Sequence, residues 1–278
     1  MPAPDAITPD KLAKLLGTPR CPALLDTRRD ALRAEAPLIL PGARAVSEGD
    51  LTPERLPALI ATLQGPVVVA CAEGHGRSQG LAALLRSHGI AAEYLEGGYA
   101  VWSAAGLPLI DPAKITARDA AGRSVWVTRS RPKVDRIACP WLIRRFIDPR
   151  AVFLYVAPAE VTAVAALYGG MPFDIEDTFW SHRGDLCTFD VMLAEFGLAL
   201  PALERLATIV RGADTARPDL APEAAGLLAA SLGLSRMYAD DLEQLGAGMA
   251  LYDAFYRWCR DATGETHNWP TNRPGGAA

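Results

Sequence analysis

The sequence predicts two α/β units in tandem, a parallel sheet flanked by helices and then a second unit of mixed α/β, mainly helical character. Three observations carry this. Short β-branched or apolar runs alternate with helically spaced segments over residues 23–104, the pattern of strands joined by helical crossovers. Composition turns small and polar over 117–123, and a new strand-like run opens at Ser124. Beyond Cys187 the apolar spacing is helical almost throughout. The 278 residues suit two domains of ordinary size. The expected division is a first domain over 1–112, a linker over 113–123, a second domain over 124–262 and a loose Gly-, Pro- and Asn-rich tail over 263–278.

Taken in order, Ala23-Leu-Leu-Asp is a short strand ending in a carboxylate. Pro66-Val-Val-Val-Ala-Cys is a continuous apolar run, as a strand buried on both faces requires. Ser78 to Ser87 carries Leu81, Leu84 and Leu85 at helical spacing, Ala92-Glu-Tyr-Leu is the next strand, and Gly97-Gly98 turns into a helix around Trp102. In the second unit, strands at 125–128 and 152–156 flank a helix expected to begin at Pro140, a favoured first helical residue. Leu203, Leu206, Ala207 and Val210 share one helical face; Leu242, Leu245, Met249, Tyr252 and Phe255 or Tyr256 share another, which fits either the core or the seam of a homodimer.

Composition removes several classes of function. Half of the residues are apolar and 22% are charged, which is globular rather than disordered. A net charge of −4 argues against a nucleic-acid or anionic-membrane partner, although a local basic pocket remains open. No apolar run approaches the ~20 residues of a membrane span, and the first ten residues lack the basic and apolar regions of a signal peptide. The five cysteines, at 21, 71, 139, 187 and 259, form no CxxC, as expected of thiols in a reducing cytoplasm.

The densest chemistry lies in Val67-Val-Val-Ala-Cys-Ala-Glu-Gly-His-Gly-Arg-Ser-Gln. A strand ends at Cys71 and a glycine-bearing loop leads into a helix. The amides of Ala72, Glu73, Gly74, His75, Gly76, Arg77 and Ser78 can then converge on the sulfur, and the helix start adds positive potential. Both favour thiolate over thiol, and the same donors would hold an anion against it. His75 either positions a substrate or faces solvent.

With Leu25-Asp26-Thr27-Arg28, Pro41-Gly42-Ala43, the Cys71 loop, Leu95-Glu96-Gly97-Gly98 to Trp102 and Ala105-Gly106-Leu107-Pro108, the first region resembles a rhodanese (sulfurtransferase) domain. The resemblance implies a rhodanese-like sheet, a persulfide on Cys71 in the amide cradle of 72–77, and Asp26 and Arg28 at the mouth of the site. It requires no cofactor and implies a small sulfur donor such as thiosulfate and a thiol acceptor. The loop is one residue longer than in common single-domain rhodaneses, and Ala72 stands where Arg is frequent. The spacing Cys71-x5-Arg77-Ser78 instead has the length found in phosphatases and arsenate reductases of the same fold, where Arg77 would offer a bidentate fork to a tetrahedral oxyanion. Ala70 precedes the cysteine in place of the His usual in those phosphatases, which keeps sulfur transfer ahead.

In the second region Arg129, Arg131, Lys133, Arg136, Arg144 and Arg145 form a basic cluster in an acidic chain, and Cys139 precedes the helix expected at Pro140, a place that favours thiolate. Arg129, Asp135, Arg136, Cys139, Arg144, Arg211 and Asp214 are the candidate lining of a polar pocket. His182, Cys187 and Asp190 have the chemistry of metal ligands, at spacings that match no standard finger. The run from 124 to 149, with Pro172-Phe-Asp174, His182-Arg-Gly-Asp-Leu-Cys-Thr-Phe-Asp190, Ile209-Val-Arg-Gly-Ala-Asp214, Ala221-Pro-Glu-Ala-Ala-Gly-Leu and Met249-Ala-Leu-Tyr-Asp253, resembles the carboxy-terminal domain of ChrB-type chromate resistance proteins. That resemblance implies a part in chromate resistance, with chromate or a related oxyanion as ligand or substrate. The expectation is a cytoplasmic sulfurtransferase joined to a chromate-resistance domain. A chromate-responsive regulatory protein and a Cys-x5-Arg phosphatase or oxyanion reductase are the alternatives.

Overall fold

The computed structural model describes residues 5–265, so most of the expected tail lies outside the described residues. The first unit contains β1 (Ala6–Ile7), α1 (Pro9–Leu15), β2 (Ala23–Asp26), α2 (Asp30–Glu35), β3 (Ala43–Ala45), α3 (Leu56–Ala61), β4 (Val67–Ala70), α4 (Gly76–Ser87), β5 (Ala92–Leu95) and α5 (Gly98–Ala104). Its five strands pair in the order β1-β5-β4-β2-β3, all parallel. Val67 to Val69 are buried on both faces, which explains the unbroken apolar run. The register Asp26↔Ala70 sets the β2 carboxylate next to the strand end that delivers Cys71.

The second unit continues with β6 (Val125–Arg129), α6 (Asp135–Leu142), β7 (Val152–Val156), α7 (Val161–Tyr168), β8 (Met171–Pro172), α8 (Thr188–Phe196), α9 (Pro201–Asp214), α10 (Glu223–Met237) and α11 (Asp241–Asp261). Its parallel three-stranded sheet, ordered β7-β6-β8, is covered by helices, so the mixed and mainly helical expectation holds.

The helix expected to start at Pro140 starts instead at Asp135, with Pro140 in its interior and a π-helical turn over 143–147 after it. Proline removes the N–H that would bond the carbonyl four residues back. That carbonyl, of Arg136, accepts from the Tyr155 hydroxyl at 3.0 Å, so the missing bond is replaced from β7.

On α11, Leu245, Tyr252 and Tyr256 are buried, Met249 and Phe255 partly so, and Leu242 is exposed. The stripe therefore packs within the chain, against α6 and α9. Gly248 lies so close to Ile137 that a β-carbon there would collide with it. The core runs across both units: Leu12, Leu16 and Trp102 of the first join Trp141, Phe146 and Tyr256 of the second in one cluster. Gly17, at φ +70°, is one point of close approach, where any side chain would meet the rings of Phe146 and Tyr256.

Candidate functional site

Cys71 follows β4 and is 5% exposed. Its Sγ lies 3.1 Å from Ser78 Oγ. Burial pushes the thiol up, but the hydroxyl of Ser78 and the amides of Ser78, Glu73 and His75 outweigh it, and the net shift is downward. The loop holds this shape because two glycines meet beneath it. Gly74 (φ +72°) has Leu95 O and Gly97 N 2.7 and 2.8 Å from where a β-carbon would stand, and Gly98 (φ +56°) lies against the carbonyl of Cys71. The start of α5 completes the support: Tyr99 N donates to Cys71 O at 2.8 Å and Ala100 N to Ala72 O at 2.9 Å.

Asp26 and Arg28 do not stand at the mouth. Both are almost fully buried and joined by an ion pair of 2.7 Å. Arg28 also donates to the carbonyls of Ala36 and Leu38 and lies 3.8 Å from the centre of the Tyr99 ring. The pair ties β2 to α5, and through Tyr99 to Cys71. The Arg77 fork is also engaged: Nε donates to Thr27 O at 2.8 Å and Nη1 pairs with Glu48 at 2.6 Å. Its Nη2 is buried with no partner among the described residues. His75 and Glu73 face solvent 3.7 Å apart.

The second constellation gathers Asp135, Asp174, His182 and Asp214. Asp135 begins α6, Asp174 (φ +52°) follows β8, His182 lies on the loop before α8, and Asp214 ends α9. His182 Nε2 stands 3.2 Å from Asp214 Oδ2, 3.4 Å from Asp174 Oδ1 and 3.5 Å from Asp135 Oδ2. Hydrogen bonds to Asp174 and Asp214 push the imidazole up to about 10. Asp135 is fully buried, accepts from Thr188 N at 2.6 Å, and is pushed upward by burial and by Asp214. Asp174 Oδ2 is held by Arg129 at 2.9 Å and Arg136 at 3.2 Å. Val134, a β-branched residue at φ +37°, aims Asp135; its N–H donates to Ser231 Oγ at 2.9 Å and its carbonyl accepts from the Tyr252 hydroxyl at 3.1 Å.

Several expected members fall elsewhere. Cys187 and Asp190 are a helix cap, with Asp190 accepting from Cys187 N at 3.1 Å and pairing with Arg211 at 2.9 Å. Burial pushes the Cys187 thiol upward, the opposite of a ready thiolate ligand. Cys139 lies inside α6 instead of before a helix, and burial pushes its thiol up as well. Arg144 lies 5.0 Å from the Phe153 ring, facing a cleft of about 1220 Å³ between the two units. That cleft is lined by Arg33, Arg44, Arg118, Arg123, Arg144, Arg145 and Arg150, with Asp148 as the acid, and contains no residue of the 71–78 loop. The expected pocket thus divides among the carboxylate cluster, the α8 cap and the cleft. Asp174 belongs to the Pro172-Phe-Asp motif of the second region but is absent from the candidate site residues, since nothing in the sequence brings it to His182.

Comparison with known proteins matches residues 8–105 to the rhodanese-like domain and residues 126–259 to the family described as ChrB, C-terminal domain. Protein ChrB of Cupriavidus metallidurans is 37% identical over 147 residues, covering 51% of this chain and 42% of that protein. The chain therefore spans under half the length of this curated relative. A rhodanese-like domain protein from Staphylococcus aureus aligns at 25% identity and TM-score 0.30, over 35% of this chain and 90% of that one. A thiosulfate sulfurtransferase from Pseudomonas aeruginosa aligns at 29% identity and TM-score 0.30, over 40% and 20% respectively.

Proposed function

We propose that the chain is a sulfurtransferase working through a persulfide on Cys71, in the service of chromate resistance, a reading supported by the match of residues 8–105 to the rhodanese-like domain and of residues 126–259 to the ChrB C-terminal domain. The observation that carries this reading is the geometry just past β4: the nearly buried Cys71 Sγ lies 3.1 Å from the Ser78 hydroxyl on a loop that Gly74 and Gly98 hold tight, an arrangement that favours thiolate. The Cys71 thiolate attacks the outer sulfur of thiosulfate; the S–S bond breaks and sulfite leaves with its electron pair. The amide cradle holds the terminal sulfur of the resulting persulfide as an anion. A thiolate acceptor, or cyanide in the assay, then attacks that sulfur and Cys71 departs as thiolate, so no outside oxidant or reductant is needed. Asp26 and Arg28 act as positioning residues behind Tyr99.

Against a Cys-x5-Arg phosphatase stands the engagement of Arg77 Nε with Thr27 O and of Nη1 with Glu48, which leaves Nη2 as the one nitrogen without a partner among the described residues. The test is thiosulfate:cyanide sulfurtransferase activity of the full chain beside Cys71→Ser, with mass spectrometry of the protein after thiosulfate alone. The reading expects turnover and a mass gain of one sulfur atom, both lost in Cys71→Ser. Wild-type protein that neither turns over nor gains sulfur rejects it.

The cleft supports a second role, oxyanion binding. Among the described residues no carboxylate forms an ion pair with Arg44, Arg144 or Arg150, and Arg44 is shifted down by burial and by Arg150. Because the cleft draws on both units, the full chain is the proper test object. Calorimetry with chromate or sulfate should show heat that Arg44→Ala with Arg150→Ala removes; wild-type protein giving no heat at millimolar anion ends this reading.

A further inference from the structure

We propose that Asp135, Asp214 and His182 bind a divalent cation of the manganese or ferrous-iron class, beside the carboxylate of Asp174. The three groups come from the start of α6, the end of α9 and the loop before α8, and one donor atom from each falls within 4.8 Å of the others. Proximity of acids alone would mean little. The independent observation is Asp135 itself: the residue is completely buried, and its Oδ1 has no hydrogen-bond partner among the described residues. A buried carboxylate with an open oxygen calls for a proton, a partner or a metal.

The contacts around His182 favour the metal. Three carboxylate oxygens converge on one ring nitrogen at 3.2, 3.4 and 3.5 Å. One N–H can serve only one of them well. Donors each about 2.1 Å from a shared ion stand roughly 3.0 to 3.4 Å apart in octahedral or tetrahedral arrangements, close to this spacing.

Charge points the same way. Asp174 is neutralised by Arg129 and Arg136 through Oδ2, and Thr188 Oγ1 donates to its Oδ1 at 3.0 Å. Among the described residues no arginine or lysine forms an ion pair with Asp135 or Asp214, whose one basic neighbour at that range is His182, so a divalent ion there would have two carboxylates to balance it. Two carboxylates and one imidazole form an oxygen-rich set, suited to Mn²⁺ or Fe²⁺ and lacking the thiolates of a structural zinc site. His182 is 41% exposed at its side chain, which gives the ion a way in.

The experiment uses the full chain stripped with EDTA and titrated with Mn²⁺, free metal being followed by electron paramagnetic resonance. The expected result is saturation at one ion per chain. Asp214→Asn and His182→Ala should each weaken binding by about tenfold or more. The exposed His88→Ala should bind as wild type. Circular dichroism of His182→Ala, a half-exposed position, separates lost ligation from lost fold. Absence of saturable Mn²⁺ binding to wild type, or unchanged binding in both folded ligand variants, overturns the proposal.

Discussion

The Cys71 loop and the Asp135 cluster solve the same problem, a reactive or charged group held below the surface, with opposite materials. Around Cys71 the donors are backbone amides and one hydroxyl drawn from eight consecutive residues, 71–78. Around Asp135 one amide, Thr188 N, donates, and the charged groups are the side chains of Asp174, His182 and Asp214 from separate elements, brought together by the packing of α6, α8 and α9. A cradle made of amides depends on backbone conformation and tolerates changes in side chain. A cluster made of side chains depends on each residue and on the core beneath it. Substitutions can separate the two kinds of dependence.

The largest effect on turnover should come from Gly98→Ala. At φ +56° an added methyl would collide with the carbonyl of Cys71 and the amide of Gly74, so the loop must move. We expect a loss of about 2–4 kcal/mol in stability by urea denaturation and near-complete loss of cyanide turnover. Wild-type turnover in Gly98→Ala would show that side chains govern the first site too.

Next is Asp135→Ala. It leaves Thr188 N without its acceptor and removes a carboxylate facing His182. Breaking one partner out of a buried charged network costs about 3–5 kcal/mol. Urea denaturation should show that loss, while the sulfur adduct on Cys71 still forms in protein that remains folded. An adduct lost along with the second cluster would mean the two sites are coupled through the shared core.

The contrast also decides what could be read beforehand. The Cys71 loop was legible because its chemistry is contiguous: a β-branched run, a cysteine, two glycines and a helix start state the geometry themselves. The Asp26–Arg28 pair was visible as a motif but misplaced, because burial is a property of the neighbours Tyr99 and Leu38. His182 was singled out with Cys187 and Asp190, its neighbours in sequence, whereas its neighbours in space lie 47 and 32 residues away, at Asp135 and Asp214. Pro140 misled by the same route. A proline inside a helix needs a replacement for the missing bond, and that replacement, Tyr155, comes from another strand.

Ser78→Ala should have a moderate effect. The hydroxyl is the first of the groups that lower the Cys71 thiol, against burial that raises it. Without it the thiol moves upward, so less thiolate is present at any pH below its midpoint. The pH midpoint of iodoacetamide labelling should rise, and turnover on its acid side should fall with the lost thiolate. Cys21 and Cys259, pushed up to about 11 by burial, serve as internal references that label only in strong alkali. An unshifted midpoint would mean that the amides alone set the thiolate.

The smallest effect should come from Arg77→Ala, and it bears most directly on the chemistry. Arg77 joins the loop to Thr27 O and to the exposed Glu48, a surface pair worth below about 1 kcal/mol. In sulfur transfer by an amide cradle it touches no reacting atom, so turnover should drop less than about tenfold, through slack in the loop. In a phosphatase-like mechanism the same residue would clamp the oxyanion, and its removal would end activity. The ratio of wild-type to Arg77→Ala turnover on thiosulfate therefore measures whether the first site runs on backbone, as its glycines and amides imply, or on one side chain.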